Sequence, residues 1–275
     1  MKTLNHLDDI GSTPGSVIAW AELRRAGVVR SASVMVPCPW YPMARDDWLA
    51  EPAQDLGLHV TLTSEWDSYR WRPLLGQAGG LTDDEGFLHR RPGDVAANAD
   101  PAAVADEMEA QLDRLLADGI RPTHIDAHMG TAFLPPFGPL LVEMGKRHDI
   151  PVLVCRDADI LWRAVGAAAG DPGYIAEMVA EAEAAGWPVF DRFIMGFCAD
   201  DQAIEAHVKG LLAGAGPGLN YFALHADTAD GMGHFAAHHQ APRRKEYELF
   251  RHARSARLFA AAEIVDWRLL TGSDR

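Results

Sequence analysis

Residues 100–128 read DPAAVADEMEAQLDRLLADGIRPTHIDAH. The first part has the pattern of a single helix. Asp100 can cap the free N–H groups of a first turn, and Pro101 follows at a position where its missing N–H costs nothing. Val104, Met108, Leu112, Leu115 and Leu116 then recur on one face, and Gly119 supplies the stop. The second part, Thr123 to Ala127, has strand length and runs into His128. A helix that feeds a short strand is one unit of a parallel α/β fold, and the rest of the chain repeats the rhythm.

Outward from this unit, strand-like runs lie at Thr3 to Leu7, Ser31 to Val36, Leu58 to Leu62, Val152 to Cys155, Phe190 to Met195 and Leu219 to His225. Helices are expected over Pro14 to Ala26, with Ser12 or Thr13 as cap, and over Pro139 to Arg147, Gly173 to Ala185, Asp201 to Ala213 and Pro242 to Ala253. This alternation predicts an α/β fold, an irregular (β/α) barrel of about seven parallel strands. The length, 275 residues, suits one barrel domain spanning 1–275, without a repeat or low-complexity linker. Three long loops break the rhythm, Trp66 to Asn98, Arg156 to Pro172 and Asp227 to Ala241, and loops of that length in a compact domain tend to serve function.

Bulk properties exclude several classes. Apolar residues at 48% and charged residues at 23% allow a continuous core. A net charge of -14, from 39 acidic and 25 basic residues, argues against binding to nucleic acid or anionic lipid and suits a small neutral or cationic substrate or a metal cation. Cys38, Cys155 and Cys198 lie far apart with no C-x-x-C pair, so neither a disulfide framework nor a thiolate zinc site is expected, and a cytoplasmic setting is. The opening residues read as neither a signal peptide nor a membrane span.

The chemistry-bearing residues share a position. Asp8-Asp9, His59, His128 and His225 each stand at or just past the C-terminal end of an expected strand, where barrel enzymes keep their active sites. Adjacent carboxylates at Asp8-Asp9 repel unless a cation or donor compensates them, which suits a metal; a turn or helix cap ahead of Gly11-Ser12 is the other reading. In Gly57-Leu58-His59-Val60-Thr61-Leu62-Thr63 period-two alternation sets His59, Thr61 and Thr63 on one face, where His59 is either a ligand or a satisfied core residue. His124, Asp126 and His128 also share a face, so Asp126 can accept from a ligand's second ring nitrogen or simply belong to a polar strand end. A histidine titrates near neutrality, so His225 could protonate a leaving group, a task toward which a nearby carboxylate could raise its pKa, or it could lie in a capping loop. His234, His238 and His239 fall in a Gly-rich loop and read as solvated. Trp40, Trp66 and Trp71 lie in loops on the same rim, where they can stack on sugar rings or pack in the core.

These motifs resemble the YdjC-like (ChbG/HpnK) carbohydrate deacetylases of the polysaccharide deacetylase superfamily, and the likeness runs through nearly the whole chain. The family's N-x-D-D-F-G is matched by Asn5-His6-Leu7-Asp8-Asp9-Ile10-Gly11, with one extra residue and Ile for Phe. Ser31-Ala32-Ser33-Val34-Met35, Gly57 to Thr63, Pro122 to His128, Glu107 with Gln111, and Arg244-Lys245-Glu246-Tyr247 follow in family order. The resemblance implies that Asp9, His59 and His128 bind one divalent metal, that Asp8 is the general base and His225 the general acid, and that a metal-bound water attacks the acetamide of an N-acetylated sugar. It also implies a homodimer. Nitrogen-rich ligation favours zinc, and the family leaves magnesium open. Arg156, Trp66 and Asp126 are candidate substrate contacts; Arg156 could instead orient Asp8 or pair with Asp157 or Asp191. This chain departs from the family at Gly130, where a further histidine is usual, and at Ala226-Asp227, where Pro-Gly is usual. Hydrolysis of another amide or ester, or of a phosphoester, and sugar binding without turnover are the competing readings.

Overall fold

A computed structural model of the chain describes residues 1–76, 79–157, 172–198 and 203–272. Its class is the expected one: α/β, of barrel type, with parallel strands joined by helices. The strands are β1 (Lys2–Ile10), β2 (Ser31–Val34), β3 (Asp55–Val60), β4 (Ile125–Ala127), β5 (Val154–Cys155), β6 (Val189–Phe190), β7 (Arg192–Met195), β8 (Leu219–Leu224) and β9 (Glu263–Val265). The main sheet runs β4-β3-β2-β1-β8-β7, and β9 also pairs with β1. β5 and β6 form a separate two-stranded sheet.

The helices are α1 (Pro14–Ala26), α2 (Tyr41–Ala50), α3 (Pro92–Asn98), α4 (Pro101–Ala117), α5 (Phe137–His148), α6 (Pro172–Ala184), α7 (Ile204–Gly214), α8 (Ala237–Phe250) and α9 (Trp267–Thr271). The caps read from sequence are present: Thr13 Oγ1 accepts from Ser16 N–H, Asp100 accepts from Ala102 N–H, and Gly119 takes φ 81°.

Some expectations are corrected. The run Phe190 to Met195 breaks at Asp191, whose Oδ2 accepts the Leu219 N–H at 2.8 Å, so one expected strand is two. β9, three residues long, was not expected; it is too short to show a period and gains its definition by pairing with Lys2, Thr3 and Leu4. α8 begins at Ala237, before Pro242, which lies inside the helix rather than at its start. His238 and His239 therefore belong to a helix, not to the loop assigned to them. α2, and α3 within the Trp66 to Asn98 segment, are likewise additional elements. Residues 158–171 of the Arg156 to Pro172 loop, and the expected helix start at Asp201, lie outside the described residues.

The chain divides into two compact units. The first comprises Met1–Val34, Trp40–Leu56 and Phe190–Arg275. Its core joins Leu4, Leu7 and Ile10 of β1, Leu23 of α1, Tyr221 and Phe222 of β8, and Trp267, all buried. Phe190 meets Tyr221 and Trp267 edge to face at centroid distances of 5.2 and 5.3 Å. The second comprises Met35–Pro39 and Gly57–Val189. Its core sets Val104, Met108, Leu112 and Leu115 of α4 with Leu58, Ile125, Phe137 and Leu141 out of solvent.

Candidate active site

In the first unit the chemistry gathers at the end of β1. The β1–β2 register shifts between Leu7 and Ile10, and Asp9 takes φ 65°. A bulge of this kind re-aims side chains, and aspartate tolerates the left-handed region better than most residues. Ser12 holds the turn, its N–H and Oγ both donating to the Asp9 carbonyl at 3.1 and 2.7 Å. Asp8 and Asp9 then find different partners. His6 Nδ1 donates to Asp8 Oδ1 at 2.6 Å, and His225 Nε2 lies 3.8 Å from Asp8 Oδ2. Arg243, buried in α8, donates to Asp9 Oδ2 at 2.6 Å. The compensating cation that an adjacent carboxylate pair requires is thus supplied in part by the chain itself.

His225 follows β8, and Glu246 Oε2 accepts its backbone N–H at 2.5 Å. Burial pushes the Glu246 carboxyl up to about 8, against the lowering effects of the His225 hydrogen bond and Arg243. Phe197 lies against the His225 ring at 4.8 Å, and His239 meets Phe197 from 5.8 Å. Asp227, expected as a possible partner of His225, does something else: it accepts from Thr13 Oγ1 and from the Ala229 N–H. Burial, ahead of those hydrogen bonds, holds its carboxyl above the usual range. Gly15 permits this contact, since a Cβ there would lie 2.0 Å from Asp227 Oδ1.

The second unit supplies imidazoles. His59 and Asp126 are register partners across β3 and β4, and His59 Nδ1 donates to Asp126 Oδ1 at 2.8 Å. His128 Nε2 donates to Glu65 Oε2 at 3.0 Å. The His59 and His128 rings stand 5.5 Å apart, with a donor nitrogen of each within 4.8 Å of the other. A carboxylate bound to one ring nitrogen fixes the tautomer and leaves a lone pair on the other, which is how a metal-binding histidine is prepared. His124 is also buried and hydrogen-bonds Thr123 Oγ1 at 2.9 Å; a Cβ on Gly57 would lie 2.4 Å from its Nε2. After His128 the backbone turns through Met129 and Gly130 at φ 51° and 66°, and Gly130 thus takes a conformation that glycine favours.

Among the described residues, the buried His and Asp side chains that could serve as metal ligands are His6 and Asp9 in the first unit and His59, His124, Asp126 and His128 in the second. A carboxylate from Asp9 and imidazoles from His59 and His128 are, in number and type of donor, what a catalytic divalent ion takes. The other candidates have these surroundings. Arg156 donates to Glu183 at 2.5 Å in an exposed ion pair. Trp66 is 2% exposed, stacked on Tyr69 at 5.8 Å and edge-on to Trp71 at 5.6 Å.

His6, Glu65 and Arg243 were not found by sequence reasoning, and Glu246 was noted without a role. A signal existed for His6, which shares its strand face with Asp8 by the period-two rule. Arg243 and Glu246 are three apart on one helix face, but a helix begun at Pro242 conceals that pairing. Glu65 stands just beyond β3, where alternation no longer guides.

A profile of the YdjC-like protein family matches residues 6–261. The chain is similar to the carbohydrate deacetylase of Brevibacillus brevis, 32% identical over 152 residues, which is 55% of this chain and 58% of that protein. It is likewise similar to carbohydrate deacetylase 1 of Listeria innocua, 34% identical over 155 residues, 55% of this chain and 60% of that protein. Each match thus spans less than two thirds of the relative's length. A crystal structure from Enterococcus faecalis V583, of a protein described as a cellobiose-phosphate cleavage protein, superposes with a TM-score of 0.78 over 98% of both chains at 18% identity, which establishes a shared fold.

Proposed function

Since the chain belongs to the YdjC-like protein family, we propose that it is a metal-dependent carbohydrate deacetylase that releases acetate from N-acetylated sugars, with Asp9, His59 and His128 holding one divalent ion. The observation that carries this reading is the pair of buried imidazoles, each hydrogen-bonded to a carboxylate, Asp126 for His59 and Glu65 for His128. A core histidine needs no such carboxylate, whereas a ligand gains basicity and a fixed tautomer from it. When bound, the ion would supply a Lewis acid that polarises the acetamide carbonyl and eases deprotonation of water.

The proton work falls to this chain's own groups. Asp8 is held by His6 through Oδ1, so its Oδ2 is the oxygen that takes the proton of the attacking water. His225, protonated, gives a proton to the sugar nitrogen as the C–N bond breaks, and acetate and the free amine leave. Its Nε2 is 3.8 Å from Asp8 Oδ2, so the proton donor and the base stand side by side. Zinc is the metal that two imidazoles and a carboxylate suit best, and magnesium is the alternative.

The test is acetate release from N-acetylglucosamine oligomers by enzyme stripped of metal and then reloaded with zinc or magnesium. Activity should vanish on stripping and return with one equivalent of ion. Undiminished turnover after stripping would sink the metal assignment, and turnover of other amides or esters without these sugars would sink the substrate.

A further inference from the structure

Helix α4 buries two polar side chains one turn apart on a face that is otherwise apolar, Glu107 and Gln111. Gln111 reaches the chain just past β3. Its Oε1 accepts from Thr61 N–H at 2.9 Å and its Nε2 donates to the Thr61 carbonyl at 2.8 Å. An amide that meets both backbone groups of one residue stands in for a neighbouring strand where the regular β3 pairing has ended. Thr61 Oγ1 in turn donates to the His59 carbonyl at 2.8 Å.

Glu107 extends the chain of bonds in the other direction. Its Oε1 accepts from Gln111 Nε2 and from Leu74 N–H, both at 2.9 Å, and its Oε2 accepts from Leu75 N–H at 3.0 Å. Leu74 and Leu75 occupy the turn Pro73–Gly76, closed by Gly76 N–H to the Pro73 carbonyl at 3.4 Å. Just before that turn Trp71 donates its indole N–H to the Thr63 carbonyl at 2.8 Å, and its ring edge faces His128 at 6.2 Å.

We infer that Glu107 and Gln111 are positioning residues: together they clamp the strand end behind His59 and the Trp71–Leu75 segment to α4, and so hold Trp71 against His128 and set the shape of the site that the sugar enters. The part of this that concerns sugar rests on the deacetylase reading. Burial pushes the Glu107 carboxyl up, so the residue carries a desolvation cost that a neutral side chain would avoid. Only an acceptor at both oxygens can hold two successive N–H groups and the Gln111 amide at once. Glutamine presents one acceptor and sets an NH2 against a donor.

Two variants test the clamp by amide hydrogen exchange and steady-state kinetics. Glu107→Gln should speed exchange of the Leu75 amide by about tenfold or more, and should raise KM for an N-acetylated sugar oligomer about fivefold with kcat within about twofold, as loss of one buried hydrogen bond implies. Leu74→Pro removes one donated N–H at an exposed turn position that proline suits, leaves the α4 core untouched, and should move KM and Leu75 exchange the same way by less. Exchange at Leu75 unchanged in Glu107→Gln, or a fall in kcat at constant KM, would overturn the inference. Should Glu107→Gln not fold, Leu74→Pro alone decides it by the same readouts. Should the wild type release no acetate, the deacetylase reading fails, and the exchange data still judge the clamp.

Discussion

On β1 the residues proposed to meet ion and water are carboxylates, and their partners are basic: Arg243 for Asp9 and His6 for Asp8. On β3 and just past β4 the arrangement is reversed, with imidazoles at His59 and His128 and carboxylate partners at Asp126 and Glu65. The difference fixes what each set can do without an ion. Asp9 already has a buried guanidinium beside it, so its charge is compensated by the chain itself. Each imidazole has one ring nitrogen bound to a carboxylate, the arrangement by which a histidine ligand is oriented toward a cation. Metal affinity should therefore depend more steeply on the imidazole set, while proton transfer should depend on the carboxylate set.

The largest effect expected from that asymmetry is at His128. His128→Ala should lose both stoichiometric metal, by elemental analysis, and activity, by about 10³-fold or more. Retained metal in this variant would break the comparison at its root. Asp8→Asn should separate the sets: the metal stays while turnover falls by roughly 10²- to 10⁴-fold, the range expected for loss of a general base. Full activity there would remove Asp8 from the mechanism and leave the carboxylate set with no proton role.

How much of this was legible beforehand follows the reach of periodicity. His59 and Asp126 stand on short strands whose alternation and length expose them, His128 comes directly after one, and α4 announced itself by cap, face and stop. The partner residues were harder because their contacts join distant segments. Arg243 meets Asp9 across 234 positions, and no local pattern encodes that pairing. Asp9 at φ 65° is equally opaque, since two adjacent aspartates at a strand end read the same with or without a bulge. The start of α8 was misplaced because proline usually opens a helix, whereas here the first turn precedes Pro242. Trp66 is buried by Tyr69 and Trp71, an aromatic cluster inside a segment that seemed a plain loop.

A smaller effect sharpens the imidazole side. Asp126→Asn keeps size and shape but weakens the acceptor for His59 Nδ1. Metal affinity should fall about 10- to 100-fold, the usual consequence of removing a ligand's carboxylate partner, with kcat at saturating metal reduced less. Titration with a competing chelator reads this directly. An unchanged affinity would mean that the carboxylate does not tune the ligand, and the contrast between the two sets would lose its physical basis.

The smallest effect concerns Glu246, and it probes the carboxylate side without touching Asp8 or Asp9. Its carboxyl is raised to about 8 from an ordinary 4.5, chiefly by burial. Between those values the folded protein holds a proton that the unfolded chain has released. Folding stability from this group is therefore complete below pH 4.5 and is lost as pH rises through about 8. Glu246→Gln cannot titrate, and its carbonyl can still accept the His225 N–H, so the variant should gain stability relative to the wild type as pH rises through that window. Thermal midpoints of the ion-free proteins, measured in parallel across pH, check the sign; parallel profiles would show that Glu246 is ionised throughout.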